Sequence, residues 1–504
     1  MRLLDLPTLD KLNPAEEWAA WKQSKEEPFN AKWAGHLYRR AGFGATLVEL
    51  QDAVKNGWEA TLDKMLAPAK TPFKPLAPLS VRVDPNNPVP NPNPNLAFGA
   101  INIRANWLSR MLSGVEPILE RMMLFWHNHF ATSIAKIQDA SLMERQYALI
   151  RKHAMGQFGP FLKEMSRDAA MLVWLDSNQN VKAHPNENYA REVMELFSLG
   201  VGNYKEKDVQ EAARAFTGWH VSSGDSGERQ FTFRANEHDS GKKTILGQTG
   251  DWDGDDVIRI LLEQKACARF LVTKLYNYFV NENVTPPESF IQPLCDALRK
   301  SDYDLGGLVR TILKSKHFYS AYSYRQKVKS PIDYVLGVAR MFGINPFGGT
   351  VVSPYSLLGT LELQGQQLYQ PPNVKGWEGG KAWLNTATVL ARHNFAYEMC
   401  NGMGKLNRET ATLTGQGFVP SADALPFILK LVRQENKIEG DDQPTAPQIV
   451  AFLGRMLLPD DLKPEIAGKL INYIEKDQPE GQARLQRWRD VMNALVTLPE
   501  YQLC

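Results

Sequence analysis

Three carboxylates, an arginine and a carboxamide crowd the stretch ENYAREVMELF, residues 187–197. On a helix turning roughly 100° per residue, with Glu187 at zero, Arg191 falls near 40°, Glu195 near 80°, Asn188 near 100° and Glu192 near 140°. These five share one arc. Tyr189, Val193, Met194, Leu196 and Phe197 fill the opposite side, the pattern of an amphipathic helix over 187–200 docked on a core. The arc reads in two ways. As a solvated face it gains a few tenths of a kcal/mol, on the order of one i,i+4 ion pair between Glu187 and Arg191. As a sheltered site it requires a cation, a shared proton or a ring of donors, because desolvating unpaired carboxylates is costly. A solvent-washed Glu187 face sinks the catalytic reading of this arc.

Trp126-His127-Asn128-His129-Phe130 is a second constellation. Histidines two apart share a face on a strand but diverge by about 200° on a helix. The preceding ERMMLFW is helical in character, so the pair chelates one metal only if the helix ends there; otherwise both are hydrogen-bonded residues of a buried helix junction. With a metal, His127, His129, Glu187 and Glu195 form a nitrogen-and-oxygen set suited to a divalent transition ion such as zinc, manganese or iron. Such an ion lowers the pKa of bound water, so the reaction class expected is metal-assisted hydrolysis, ahead of a metal-dependent oxidation that would use the same ligands. Glu192 or His238 then moves the proton, and Arg191 steers an anionic group. His238-Asp239, with His220 nearby in FTGWH, orients an imidazole as base or is merely a turn aspartate beside a surface histidine.

Two further features bear on substrate binding. The loop QPPNVKGWEGGKAWLN (370–385) carries two prolines, three glycines and two tryptophans, with Asn373 and Asn385 as polar anchors. It either stacks a sugar or peptide ring or plugs the core beneath a tight turn. Trp126, Asn188, Trp219, Asn373 and Trp377 are the candidate substrate contacts. Familiar signatures are missing: no Glu-x-x-His pair for a di-iron bundle, no H-E-x-x-H, no G-x-S-x-G and no phosphate loop.

The words RRAGFGAT (39–46), FWHNHFATS (125–133), PNENYAREVMELFSLGVGNY (185–204), DVQEAARAFTGW (208–219), HDSGKKTILG (238–247), VKSPIDYVLG (328–337) and QPPNVKGWEGGKAWLN occur in that order. Together they resemble a bacterial family catalogued as domain of unknown function 1800, over about residues 34–397. The resemblance carries no activity with it. It implies genes paired with those of a phosphatase-like family, hence a protein partner as the alternative to catalysis. It also implies that many relatives are exported.

The elements that must position these residues are mainly helical. Amphipathic periodicity predicts helices over 47–66, 101–125, 136–155, 187–200, 206–218, 254–281, 290–299, 304–315 and 331–343. Asp208 and Ser330-Pro331 read as helix starts. A strand pair is expected only around 229–246. The fold class is therefore mainly α, a multi-helix globular body with a small β-hairpin and a C-terminal helical extension. The divisions expected are 1–33 as an N-terminal extension, 34–400 as the main body with a proline-rich surface loop over 67–97, and 415–504 as a helical appendage.

Across 504 residues, 43% are apolar and the formal charge is +2. No basic run supports nucleic-acid binding, and no apolar run approaches the roughly 20 residues of a membrane span. The N-terminus lacks a signal-peptide pattern, so the chain as written is expected to be cytoplasmic, and periplasmic if it is a processed form. Cys267, Cys295, Cys400 and Cys504 are too scattered for a zinc knuckle and read as reduced core thiols.

Overall fold

The computed structural model describes residues 6–70, 94–224, 227–343, 354–401, 424–440 and 442–504. Helices dominate, with two small antiparallel ribbons, as the periodicity requires. Most of the expected proline-rich loop, residues 71–93, lies outside the described residues. No helix among them is long and apolar enough to cross a membrane. All four cysteines are buried and unbridged.

Several expected helices are split at residues whose backbone cannot continue a helix. The 47–66 helix breaks at Gly57 (φ 84°) into Leu47–Asn56 and Trp58–Leu66. The 101–125 helix becomes Pro94–Ser113 and Pro117–His129, separated by Gly114 at φ 70° and Glu116 at φ 53°. A positive φ is readily adopted by glycine and ends the run of helical hydrogen bonds. Ser330 caps Pro331–Met341 with Asp333 completing a capping box, as its sequence suggests. Asp208 differs from expectation. It occupies the third position of Glu206–Ala215, where one oxygen accepts from Lys205 N at 2.8 Å and the other from Leu246 N at 2.8 Å.

The strands also pair differently from expectation. Arg229–Phe233 pairs with Trp219–Ser223, and Lys243–Ile245 with Gln248–Gly250. In the segment between Arg229–Phe233 and Lys243–Ile245, Asp239 accepts from Arg214 Nε at 2.7 Å.

The helices gather into two compact units that interleave along the chain. One comprises Met1–Trp21, Met122–Tyr322 and Leu368–Glu378; the other comprises Lys22–Arg121, Ser323–Gln367 and Gly379–Cys504. The linear divisions 1–33, 34–400 and 415–504 do not coincide with these units. In the first, the N-terminal segment is an integral strap: Trp18 Nε1 donates to Phe290 O at 2.8 Å, Glu17 meets His317 Nδ1 at 3.0 Å, and Trp21 stacks on Tyr319. Its core is an aromatic cluster in which Trp126 lies parallel to Phe130 and Phe158 and edge-on to Phe161. In the second unit, Thr386–Asn401 packs along Gly481–Thr497, and the helix Pro331–Met341 lies at the centre with Tyr334 fully buried. Composition and periodicity do not register such long-range pairing, which is why the C-terminal helices read as an appendage.

Trp126 has no exposed surface, and its indole N–H donates to Ala154 O at 3.0 Å. Trp126→Ala is expected to cost about 3 to 5 kcal/mol in urea unfolding, the range for emptying a buried aromatic site. Trp126→Phe should cost markedly less.

Candidate functional site

The helix Pro117–His129 ends at His129, so the second constellation sits at a helix terminus. Its side chains bond backbone. His127 Nε2 accepts the Tyr369 N–H at 3.0 Å, which leaves the proton of the neutral ring on Nδ1. Burial pulls the His127 pKa down to about 3. Asn128 clasps the next turn of the same loop, accepting from Trp377 N at 2.6 Å and donating to Trp377 O at 3.3 Å. Ile134 N completes the seam on Tyr369 O at 2.9 Å.

Gly376 makes that approach possible. It holds φ at 79°, and a Cβ there would fall 2.1 Å from Asn128 Oδ1. The PPNVKGW loop is therefore a backbone-satisfied plug. Trp377 is buried at its end, 5.7 Å from the His127 ring. Asn373 is exposed and closes its own turn by accepting from Lys375 N at 2.8 Å. Asn385 caps Thr386–Asn401 through Thr388.

His129 has both ring nitrogens engaged: Nε2 donates to Phe197 O at 3.1 Å, and Nδ1 accepts from Lys274 Nζ at 2.9 Å. Burial, then the Lys274 charge, holds its pKa well below the ordinary value. A lone pair pointed at an ammonium is not available to a metal. Among the described residues no group of three or more His, Cys, Asp or Glu is placed to hold an ion. The set His127, His129, Glu187 and Glu195 thus does not fit a divalent metal, and the two histidines instead tie a loop and a lysine to the helix end. Lys274 escaped sequence analysis. The signal was a single cation between Val272 and Leu275 on an apolar helix, and burial brings its pKa down to about 8.

The 187–200 segment is not a uniform α-helix. Asn188–Glu192 is α-helical and Val193–Ser198 is a π-turn, with Leu199 N reaching Met194 O at 2.9 Å and Ser198 Oγ reaching Val193 O at 2.5 Å. The expected single arc consequently divides into two groups. Arg191 bridges Glu187 at 2.8 Å and Glu206, with Glu187 and Arg191 each 35% exposed. Asn188 is exposed. This part is a wet ion-pair network.

Glu192 and Glu195 form the other group, each part-buried. Burial, and then the neighbouring Glu195 charge, pushes the Glu192 pKa up, while Lys375 and Arg191 oppose the shift. Glu195 accepts the Tyr204 hydroxyl at 2.7 Å. Burial, then that hydrogen bond, pushes the Tyr204 phenol up to about 12. Tyr204, Lys375 and Glu206 were not singled out from the sequence. Tyr204 and Lys375 fall inside the words already quoted, but their spacing to Glu192 is not periodic.

The remaining candidates lie apart from this pair in their bonding. Trp219 is buried, edge-on to Phe216 and Phe231, with the Arg167 guanidinium 5.2 Å above its ring. Trp126 and Trp219 are thus core residues rather than an open substrate surface. His238 Nδ1 donates to Thr217 O at 2.9 Å. Asp239 serves Arg214 and Gly241 N and does not orient His238. His220 Nε2 lies 2.6 Å from Glu237 but off the line of an N–H bond, and burial lowers its pKa.

Two outcomes test this geometry. Gly376→Ala should destabilise the protein by at least about 2 kcal/mol through strain at positive φ, with the Asn128 clash adding to it. For His127, the folded pKa of about 3 lies below the ordinary 6.5, so the unfolded chain binds the extra proton first. That contribution is complete above pH 6.5 and is lost as pH falls toward 3. His127→Gln should flatten the stability profile over that window in denaturant titrations.

The seven quoted words fall in both units, and so does the match to known sequences. A family model described as "Protein of unknown function (DUF1800)" matches residues 36–503. No curated protein matches the chain, and no solved structure does. With all but the first 35 residues and the last one covered, the chain belongs to the DUF1800 family.

Proposed function

We propose that the protein is a hydrolase working by general acid–base catalysis at the Glu192–Glu195 face, without a metal step, on a polar substrate such as a saccharide or peptide. The observation that carries this reading is the unlike environment of two carboxylates three residues apart. Glu192 is raised by burial and by its neighbour. Glu195 is held by Tyr204. A carboxyl raised by burial, beside a second carboxylate fixed by a hydrogen bond, is suited to divide the work into proton donor and proton acceptor.

In the reaction so assigned, Glu195 takes a proton from water and the resulting hydroxyl bonds to the electrophilic centre. The bond to the leaving group breaks with its electron pair, and the Glu192 proton passes to that group. Lys375 and the Tyr204 hydroxyl supply the polar contacts that orient the substrate. Arg191, with Glu187 and Glu206, braces the helix rather than entering the chemistry. That same exposed network favours the second reading, a non-catalytic assembly partner of a phosphatase-like protein.

The two readings separate in one experiment. A panel of chromogenic glycosides, peptides and esters is assayed with wild type, Glu192→Gln, Glu195→Gln and Glu187→Gln. Catalysis predicts turnover of at least one class, falling by about 10² or more in the first two variants and little in the third. Glu192→Gln should also be no less stable than wild type at neutral pH. A carboxyl raised in the folded state loses stability as pH rises through its folded pKa, and the amide does not. No turnover by wild type, or equal rates in all variants, sinks the enzyme reading.

A further inference from the structure

Lys274 takes no part in the reaction proposed above, and its setting in the first unit is unusual for a cation. It lies on the helix Lys265–Phe279, where its Nζ donates to His129 Nδ1 at 2.9 Å and sits 5.2 Å from the centre of the Phe270 ring. Among the described residues no carboxylate is within ion-pair distance of it. Phe270, Lys274 and Tyr278 follow at i,i+4 spacing, so they share one face of the helix, and all three are part-exposed. Phe125 closes the group, 5.1 Å from the Tyr278 ring and 6.0 Å from the His129 ring. The amine is thus set among aromatic rings on a face that solvent reaches.

His129 defines what the amine meets. Its Nε2–H donates to Phe197 O, so Nδ1 carries a lone pair and no proton. A neutral imidazole offers Lys274 an acceptor without a negative charge. The amine fills that acceptor with one N–H whether it is charged or neutral, and in the neutral form it keeps its own lone pair. Desolvation without a counter-charge favours the neutral form of a lysine, and here burial is the cause that pulls the pKa down to about 8. A lysine desolvated beside apolar groups is the kind of amine that attacks carbonyl carbon.

We propose that Lys274 is a covalent binding site for small aldehydes, forming an imine at Nζ while His129 holds the amine in place. The Nζ lone pair attacks the carbonyl carbon, the C–N bond forms as the C=O π pair moves to oxygen, and one nitrogen proton passes to that oxygen. The carbinolamine then loses its hydroxyl together with the second nitrogen proton as water, leaving C=N. A small aldehyde suits this place because its carbonyl carbon brings only a hydrogen and one short substituent toward the rings beside the amine. The assignment does not rest on the Glu192–Glu195 reading, in which Lys274 has no role.

The test uses the full chain, acetaldehyde as the probe and cyanoborohydride to reduce the imine, with peptide mass spectrometry to read each lysine. Lys265, exposed at the start of the same helix, is the internal reference. At neutral pH Lys274 should be ethylated at least about tenfold faster than Lys265, since a larger share of it is free amine. The ratio should fall as pH rises to about 10, where an exposed amine loses its proton as well. In urea, with burial gone, the two lysines should react alike. In Lys274→Met the fast phase of whole-protein labelling should vanish. Should that variant not fold, the folded and urea ratios of the wild type decide by themselves. Lys274 reacting no faster than Lys265 in the folded protein, or the same preference persisting in urea, overturns the proposal.

Discussion

The need to satisfy buried backbone governs the part of the molecule that carries the candidate site. Where the helix Pro117–His129 ends, its side chains rather than further helix take up neighbouring polar groups. His127 accepts Tyr369 N–H, Asn128 accepts and returns bonds to Trp377, and His129 donates to Phe197 O. An unpaired buried amide or carbonyl costs on the order of 1 to 3 kcal/mol, so three such seams fix the loop and the π-turn as firmly as packing does. Both histidines must stay neutral for this. Burial does that for each of them.

This constraint also decides which residues remain for chemistry. A histidine whose lone pair is given to a backbone N–H or to a lysine is not a ligand. The π-turn, anchored through Phe197 O and closed by Ser198, breaks the polar arc at Glu192. Upstream of the break, Glu187 and Arg191 are spent in an exposed ion-pair network. At and beyond it, Glu192 and Glu195 are drawn into partial burial with Tyr204. The same carboxylates that looked like one donor set are thus two populations, one bracing a helix and one part-buried beside Tyr204.

Buried charge recurs as a theme in the second unit, with a different resolution. Arg340 is 3% exposed and fully accounted for, bonded to Leu112 O and to both oxygens of Glu49. Arg392 reaches Lys329 O and Gln502. Arg340 is satisfied throughout, whereas Arg392 keeps a shielded Nε without a hydrogen-bond partner, as Arg39 does. In the same unit Gly44 packs closely on Gly337, its Cβ position 3.1 Å from the Gly337 Cα.

By itself, the sequence determined the fold class, most helices, the Ser330 cap and the family, because these rest on local periodicity, local capping and ordered words. Helix breaks were less legible: Gly57 and Gly114 are tolerated within an apolar period until packing sets their φ positive. The strand partners were not legible, since RQFTF alternates equally well against WHVSS or GKKTI. The composition of the candidate site was half legible. Glu192 and Glu195 stood out by type, but their separation from Glu187 and Arg191 came from a π-turn that no residue pattern encodes. The roles of His127, His129 and Asn128 were set only by tertiary structure, because their partners Tyr369, Trp377 and Lys274 lie more than 140 residues away, and a side chain's hydrogen bonds are decided by what folding brings beside it.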